Sequence, residues 1–125
     1  MYRINYKFMF LVYVLILISC KPYTEKGIAV IVKNSSSSTI HDTEIGTSEK
    51  LSTINNVILN PGKEINSFLK MKENKTDGSY IILYTLANGK KENIDAGYYT
   101  NGAPIERSMY IDIQRDTTLV TFSRY

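Results

Sequence analysis

Chemistry in this chain is bounded by its scarcest side chains. Of 125 residues, one is a cysteine, Cys20, and one is a histidine, His41. A Ser-His-Asp hydrolase needs a histidine held by an acid. Asp42 is adjacent, but neighbours along a strand point to opposite faces, and no nucleophile-elbow pattern lies nearby, so His41 reads as a surface histidine. One histidine and one cysteine cannot furnish a zinc site of ordinary composition. Asp77-Gly78 matches no calcium loop, and no glycine-rich phosphate loop is present. The twelve acids sit beside lysines or in turns, as a solvated surface would place them. The sequence therefore predicts no enzyme, no cofactor and no metal. Two chemistries remain: the thiol of Cys20, and the surface offered by Tyr98-Tyr99-Thr100-Asn101-Gly102.

Cys20 closes a patterned leader. Arg3 and Lys7 make a positive start, Phe8 to Ile18 is continuously apolar, and the small residue Ser19 precedes the cysteine. Those three features in that order define an export signal. The apolar run is too short for a membrane span, which takes roughly 20 residues to cross about 30 Å of hydrocarbon. Leu17-Ile18-Ser19-Cys20 resembles a bacterial lipobox. That resemblance implies a lipoprotein cleaved between Ser19 and Cys20, with diacylglycerol on the sulfur and a fatty acyl group (palmitate) on the new amine. It also removes Cys20 from catalysis.

Cleavage would take away two cations and no acids, lowering the formal charge from +3 to +1 over the 106 residues that remain. That balance lacks the strongly basic face of a nucleic-acid-binding domain, so no nucleic-acid partner is expected. The length suits one domain. With the thiol lipidated, no disulfide is available to a small exported domain, and burial alone must hold the fold. The sequence divides into a signal peptide at 1–19, a lipidated tether at 20–26 and a folded domain at 27–125.

The domain reads as β throughout. Ile28, Val30 and Val32 alternate along a first strand that ends in Asn34 and Ser35 to Ser38. Further strands are expected over 39–45, 54–59, 64–71, 79–87, 91–99, 109–113 and 118–122. Pro61-Gly62 suits a type II turn, and Asn88-Gly89 suits a type I′ hairpin. Tyr80, Ile82 and Tyr84 face one way and Ile81 and Leu83 the other, which predicts a central strand covered on both faces. Seven to eight strands with regular turn signals and no helix predict a single antiparallel β-sandwich. Asp95-Ala96-Gly97-Tyr98-Tyr99-Thr100-Asn101 is similar to the immunoglobulin signature that carries the tyrosine corner, with Asn101 where that family has cysteine. The sandwich is thus weakly immunoglobulin-like or transthyretin-like.

Tyrosine beside Asn and Gly offers large contact area and adaptable hydrogen bonding, so Tyr98, Tyr99 and Asn101 are the candidate contacts for a protein or glycan partner. Because Tyr98 and Tyr99 face oppositely in a strand, one of them is expected to be exposed. Loops 72–78 and 100–105 would join them. The chain is read as a cell-envelope lipoprotein, membrane-anchored through Cys20 and acting as a non-enzymatic binding module. The alternative is an inhibitor or immunity-type lipoprotein directed against a lytic enzyme, which would need a protruding loop. Its Ile-, Lys-, Asn- and Tyr-rich composition resembles that of AT-rich bacteria such as Bacteroidota. The stretch after Cys20 lacks the acidic run of surface-exported lipoproteins there, which favours the periplasm-facing side.

Overall fold

The computed structural model describes residues 24–124. The signal peptide at 1–19, Cys20, tether residues 21–23 and Tyr125 lie outside the described residues. Nine strands run through the described chain: β1 (Gly27–Asn34), β2 (Ile40–Thr47), β3 (Thr53–Leu59), β4 (Glu64–Lys70), β5 (Gly78–Thr85), β6 (Lys91–Thr100), β7 (Ala103–Pro104), β8 (Ser108–Ile113) and β9 (Thr118–Ser123). Each segment that alternates like a strand in the sequence forms one. The extra element is the two-residue β7.

The strands make an all-β sandwich of two sheets, ordered β4-β1-β8-β9 and β3-β2-β5-β6-β7. Every pairing is antiparallel except one: β1 and β8 run parallel, with Ala29 opposite Ser108 and Val32 opposite Ile111. This departs from the expected wholly antiparallel arrangement. A parallel pair needs a long connection, and here the entire five-stranded sheet lies between β1 and β8 in the chain.

Alternation delivers the core. Ile28, Val30 and Val32 of β1 and Met109, Ile111 and Ile113 of β8 are fully buried against Ile45, Tyr80 and Ile82 of the other sheet. Burying each such side chain is worth about 1.5–3 kcal/mol. Tyr80 stacks tilted against Tyr99 at 5.6 Å and against Phe122 of β9 at 5.9 Å, an aromatic bridge between the sheets. Tyr84 and Thr118 join their hydroxyls across the same gap at 2.6 Å.

β5 is central in its sheet, as its sequence predicts, but the described residues bury only one of its faces. Tyr80, Ile82 and Tyr84 are buried, whereas Ile81 and Leu83 are only half-buried on the outer face. Apolar residues on both faces here mark a partly exposed sheet surface rather than a second packed layer.

The turns separate local from tertiary control. At Pro61-Gly62 the Asn60 carbonyl accepts from the Lys63 N–H at 3.0 Å, closing the expected turn. Asn88-Gly89 does not form a type I′ turn. Leu86 and Lys90 flank a three-residue loop in which the Leu86 carbonyl accepts from Gly89 N–H at 2.9 Å, and Gly89 has φ of +83° while Asn88 is not left-handed. That is the geometry of a type I turn ending in a left-handed residue. The left-handed pair lies instead at Asn101 (φ +50°) and Gly102 (φ +70°), which join β6 to β7.

Two bulges re-aim side chains. In β2 the pairing slips around Asp42, whose φ is +49°, and as a result His41 and Asp42 are both exposed rather than alternating. In β6 the register slips between Tyr80↔Ala96 and Gly78↔Tyr99. Gly97, at φ +65°, occupies the extra position with the Phe122 ring directly over its Cα. A side chain at residue 97 must enter the left-handed region, at about 1–2 kcal/mol, and displace that ring. Gly97→Ala is therefore expected to lower stability by at least that amount, a Tm drop of roughly 4–8 °C per kcal/mol for a domain of this size. An unchanged thermal melt would remove the bulge from the list of constraints.

Candidate functional site

The β6 bulge decides which tyrosine meets solvent. Ile94 and Ala96 face inward, so strict alternation would carry Tyr98 inward after them. The inserted residue reverses this: Tyr99 is fully buried and Tyr98 is 50% exposed. The expectation that one of the pair is exposed holds. Tyr99 is nevertheless withdrawn as a contact residue, because its ring belongs to the core and its hydroxyl is engaged internally, donating to Glu49 Oε2 at 3.0 Å.

Tyr98 and Asn101 do come together, around an acid that sequence reading passed over. Asp77 accepts from the Tyr98 hydroxyl at 2.6 Å, the Thr100 hydroxyl at 3.0 Å and the Asn101 N–H at 2.8 Å. These donors hold the Asp77 carboxyl below its ordinary range, the Tyr98 hydroxyl contributing most. The same bond pushes the Tyr98 phenol upward. The hydroxyls of Tyr98 and Thr100 are thus already spent on Asp77, which leaves the exposed Tyr98 ring and the exposed Asn101 side chain to meet a ligand.

Beneath that loop lies a second hub. Asn74 is buried in the 71–77 connection. Its Nδ2 donates to Thr47 Oγ1 at 2.9 Å and to Glu49 Oε2 at 2.8 Å, and its Oδ1 accepts from Ser52 Oγ at 2.7 Å. Its carbonyl accepts from Lys26 Nζ at 2.9 Å. Glu49 also accepts from the N–H groups of Lys75 and Thr76, at 3.2 and 3.1 Å. Asn74 and these amides pull the Glu49 pKa from 4.5 to about 2. One amide and one carboxylate thereby fasten the 48–52 and 71–77 connections, β6 and the start of β1. In sequence these stretches show only charge and irregular patterning; an asparagine inside a charged connection is the one hint of a buried clamp.

A separate concavity lies on the outer face of the five-stranded sheet. It encloses about 580 Å³. Its floor is Ile81 and Leu83, set by register between Gly46 and Asp95 and between Glu44 and Asn93. Gly46 contributes no side chain, which opens the depression, and Glu44, Lys50, Thr53 and Asn93 form a polar rim. An apolar floor with a few polar groups around it is the usual composition of a binding surface. Among the described residues no three of His, Cys, Asp and Glu are grouped to hold a metal ion, and no helix is long and apolar enough to cross a membrane.

No family model and no curated protein matches the chain. Among solved structures it is similar to the NMR structure of a protein from Eubacterium rectale, with a TM-score of 0.56 at 9% identity over 86% of this chain and 97% of that one. At this identity the likeness concerns the fold alone.

The Glu49 clamp carries a pH signature. A carboxyl whose pKa is lowered by folding stabilises the fold fully above its unfolded value and loses that contribution as pH falls through the folded one. Stability is therefore expected to decline from about pH 4.5 toward pH 2. In Glu49→Gln that decline should be shallower, with the remainder due to the other depressed acids, Asp77 and Asp112. Denaturant titrations across this range check it; identical slopes for both proteins would remove Glu49 from the clamp.

Proposed function

We propose that the protein is a cell-envelope lipoprotein, held to the membrane by lipid on Cys20 and acting as a non-enzymatic binding module for a protein or glycan. The observation that carries the binding reading is the uncovered outer face of the five-stranded sheet, with its Ile81 and Leu83 floor and polar rim. Tyr98, exposed on β6 of the same sheet, extends that surface. The address rests on the leader and on Leu17-Ile18-Ser19-Cys20; a periplasm-facing position follows from the stretch after the cysteine.

The inhibitor reading needs a protruding loop. The longest connection among the described strands, residues 71–77, is fastened through Asn74 and Glu49 instead of projecting. This supports the flat binding face over the plug. The strand order also supports one of the two sandwich resemblances. An immunoglobulin domain pairs its first two strands within a sheet, whereas β1 and β2 lie in different sheets. The transthyretin-like resemblance is the one this order accommodates.

The address is tested by producing the intact precursor in a bacterial host. The expected product is membrane-bound, with a mass that fits cleavage before Cys20 plus acyl chains, and Cys20→Ala loses both properties. A soluble, unacylated wild-type product would overturn the lipoprotein reading. The face is tested with a photo-crosslinking residue at Asn93 on the anchored protein. It is expected to capture a discrete partner, with Leu83→Glu reducing capture about ten-fold, near 1.4 kcal/mol of binding. Equal capture from position 110, on the outer face of the four-stranded sheet, would move the contact off this face.

A further inference from the structure

Two Asn-Gly pairs occur in the chain, Asn88-Gly89 and Asn101-Gly102. Asparagine followed by glycine carries a reactivity of its own. The backbone nitrogen of the next residue can attack the side-chain Cγ, and glycine has no side chain to obstruct that approach. In a folded protein the pair must first rotate into the ring-closing arrangement. The fold treats the two pairs oppositely.

Asn88 and Gly89 are both exposed, at the tip of the β5–β6 hairpin. Among the described residues nothing lies within 4 Å of where a Cβ on Gly89 would stand. Two local bonds hold the tip. Gly89 N–H donates to the Leu86 carbonyl at 2.9 Å, and Asn88 Oδ1 accepts from Lys90 N–H at 2.9 Å. Both close within residues 86–90, so freeing the Gly89 nitrogen needs only this turn to open. Exposed loop tips of this kind open at the lowest free energies in a fold.

Asn101-Gly102 is pinned from outside. Gly102 is buried, and its N–H donates to the Thr76 carbonyl at 2.7 Å. A Cβ at Gly102 would run into the Asn74 carbonyl, so the 71–77 connection sits directly on it. The Asn101 N–H is held by Asp77 at 2.8 Å. Rotating this pair means lifting the connection that Asn74 and Glu49 fasten.

We infer that Asn88 is a site of spontaneous deamidation, from which the clamp protects Asn101. The Gly89 nitrogen gives its proton to hydroxide and forms a bond to Asn88 Cγ. The Cγ–Nδ2 bond breaks, and the side-chain nitrogen leaves as ammonia with a proton taken from water. Water then opens the cyclic imide at one carbonyl to give aspartate, or at the other to give isoaspartate. The net change is water consumed and ammonia released, with no redox step. The aspartate product suits the loop. Its carboxylate keeps the acceptor for Lys90 N–H, now in a charge-assisted bond, and residue 88 lines the same depression as Lys90 and Arg115. Isoaspartate instead lengthens the backbone within a three-residue loop. The hairpin tip thereby gains, with age, a charge that the encoded sequence lacks.

The test incubates the folded full-length protein at mildly alkaline pH and follows both Asn-Gly peptides by mass after digestion. Conversion at 88 is expected to exceed that at 101 by about ten-fold or more, a factor that takes only about 1.4 kcal/mol of extra opening. In denaturant the two rates should converge, because the dipeptide is the same. Gly89→Ala is expected to slow conversion at 88, and Asn88→Asp to melt no lower than the wild type. Asn74→Ala, which loosens the clamp, should raise conversion at 101; no rise would overturn the protection. Conversion at 101 matching that at 88 in the folded wild type, or a silent Asn88 while the denatured protein reacts, overturns the site. The wild-type comparison stands whether or not the Asn74 variant folds.

Discussion

A single buried amide organises one end of this protein. Asn74 is enclosed where water cannot serve its polar atoms, and a buried amide left unsatisfied is costly. Its side-chain bonds run to Thr47 at the end of β2 and to Glu49 and Ser52 in the following connection. Glu49 passes the tie to the backbone of Lys75 and Thr76 and to the hydroxyl of Tyr99. The connections are held in place by this network, and so is the placement of every charge around them. At the opposite end Asn34 plays a comparable part. Its amide donates to the Ser38 and Leu59 carbonyls, and its oxygen accepts from the N–H and hydroxyl of Ser36.

These clamps matter because the described residues hold no cysteine and no metal-ligating cluster. The core is the product of alternation on two inner faces, and the described chain is small enough that burial leaves little in reserve. Fully bonded asparagines at both ends make the loops part of the packed structure. They also explain why the tyrosine loop is a poorer contact surface than its composition implies. Asp77 has already taken the hydroxyls of Tyr98 and Thr100 and the backbone N–H of Asn101. One surface that keeps apolar area is the outside of β5, where Ile81 and Leu83 are only half-buried among the described residues.

Much of the architecture was legible because the side-chain period of a strand is two and the inner faces here are predominantly apolar. Ile28-Val30-Val32 and Met109-Ile111-Ile113 announce their inward positions, and both triplets are buried. Pro61-Gly62 carries its turn geometry within itself. Asn88-Gly89 shows the limit of such reasoning. The dipeptide admits a type I′ turn, but the strand ends at Leu86 and Lys90 select a three-residue loop, while Asn101-Gly102 adopts the left-handed pair. Which of two similar dipeptides does so depends on how the flanking strands are paired, and no local signal reports that.

From the sequence by itself come the β class, the strand positions and the inward residues, since each is written in short-range pattern and composition. Tertiary structure decided the parallel seam between β1 and β8, because pairing partners 79 residues apart leave no local trace. It decided the fate of Tyr98 and Tyr99, because one inserted residue at Gly97 flips every side chain after it to the other face. It decided, finally, that Glu49, Asn74 and Asp77 form clamps, since a polar side chain acquires that role only when folding brings distant donors to it and shuts the water out.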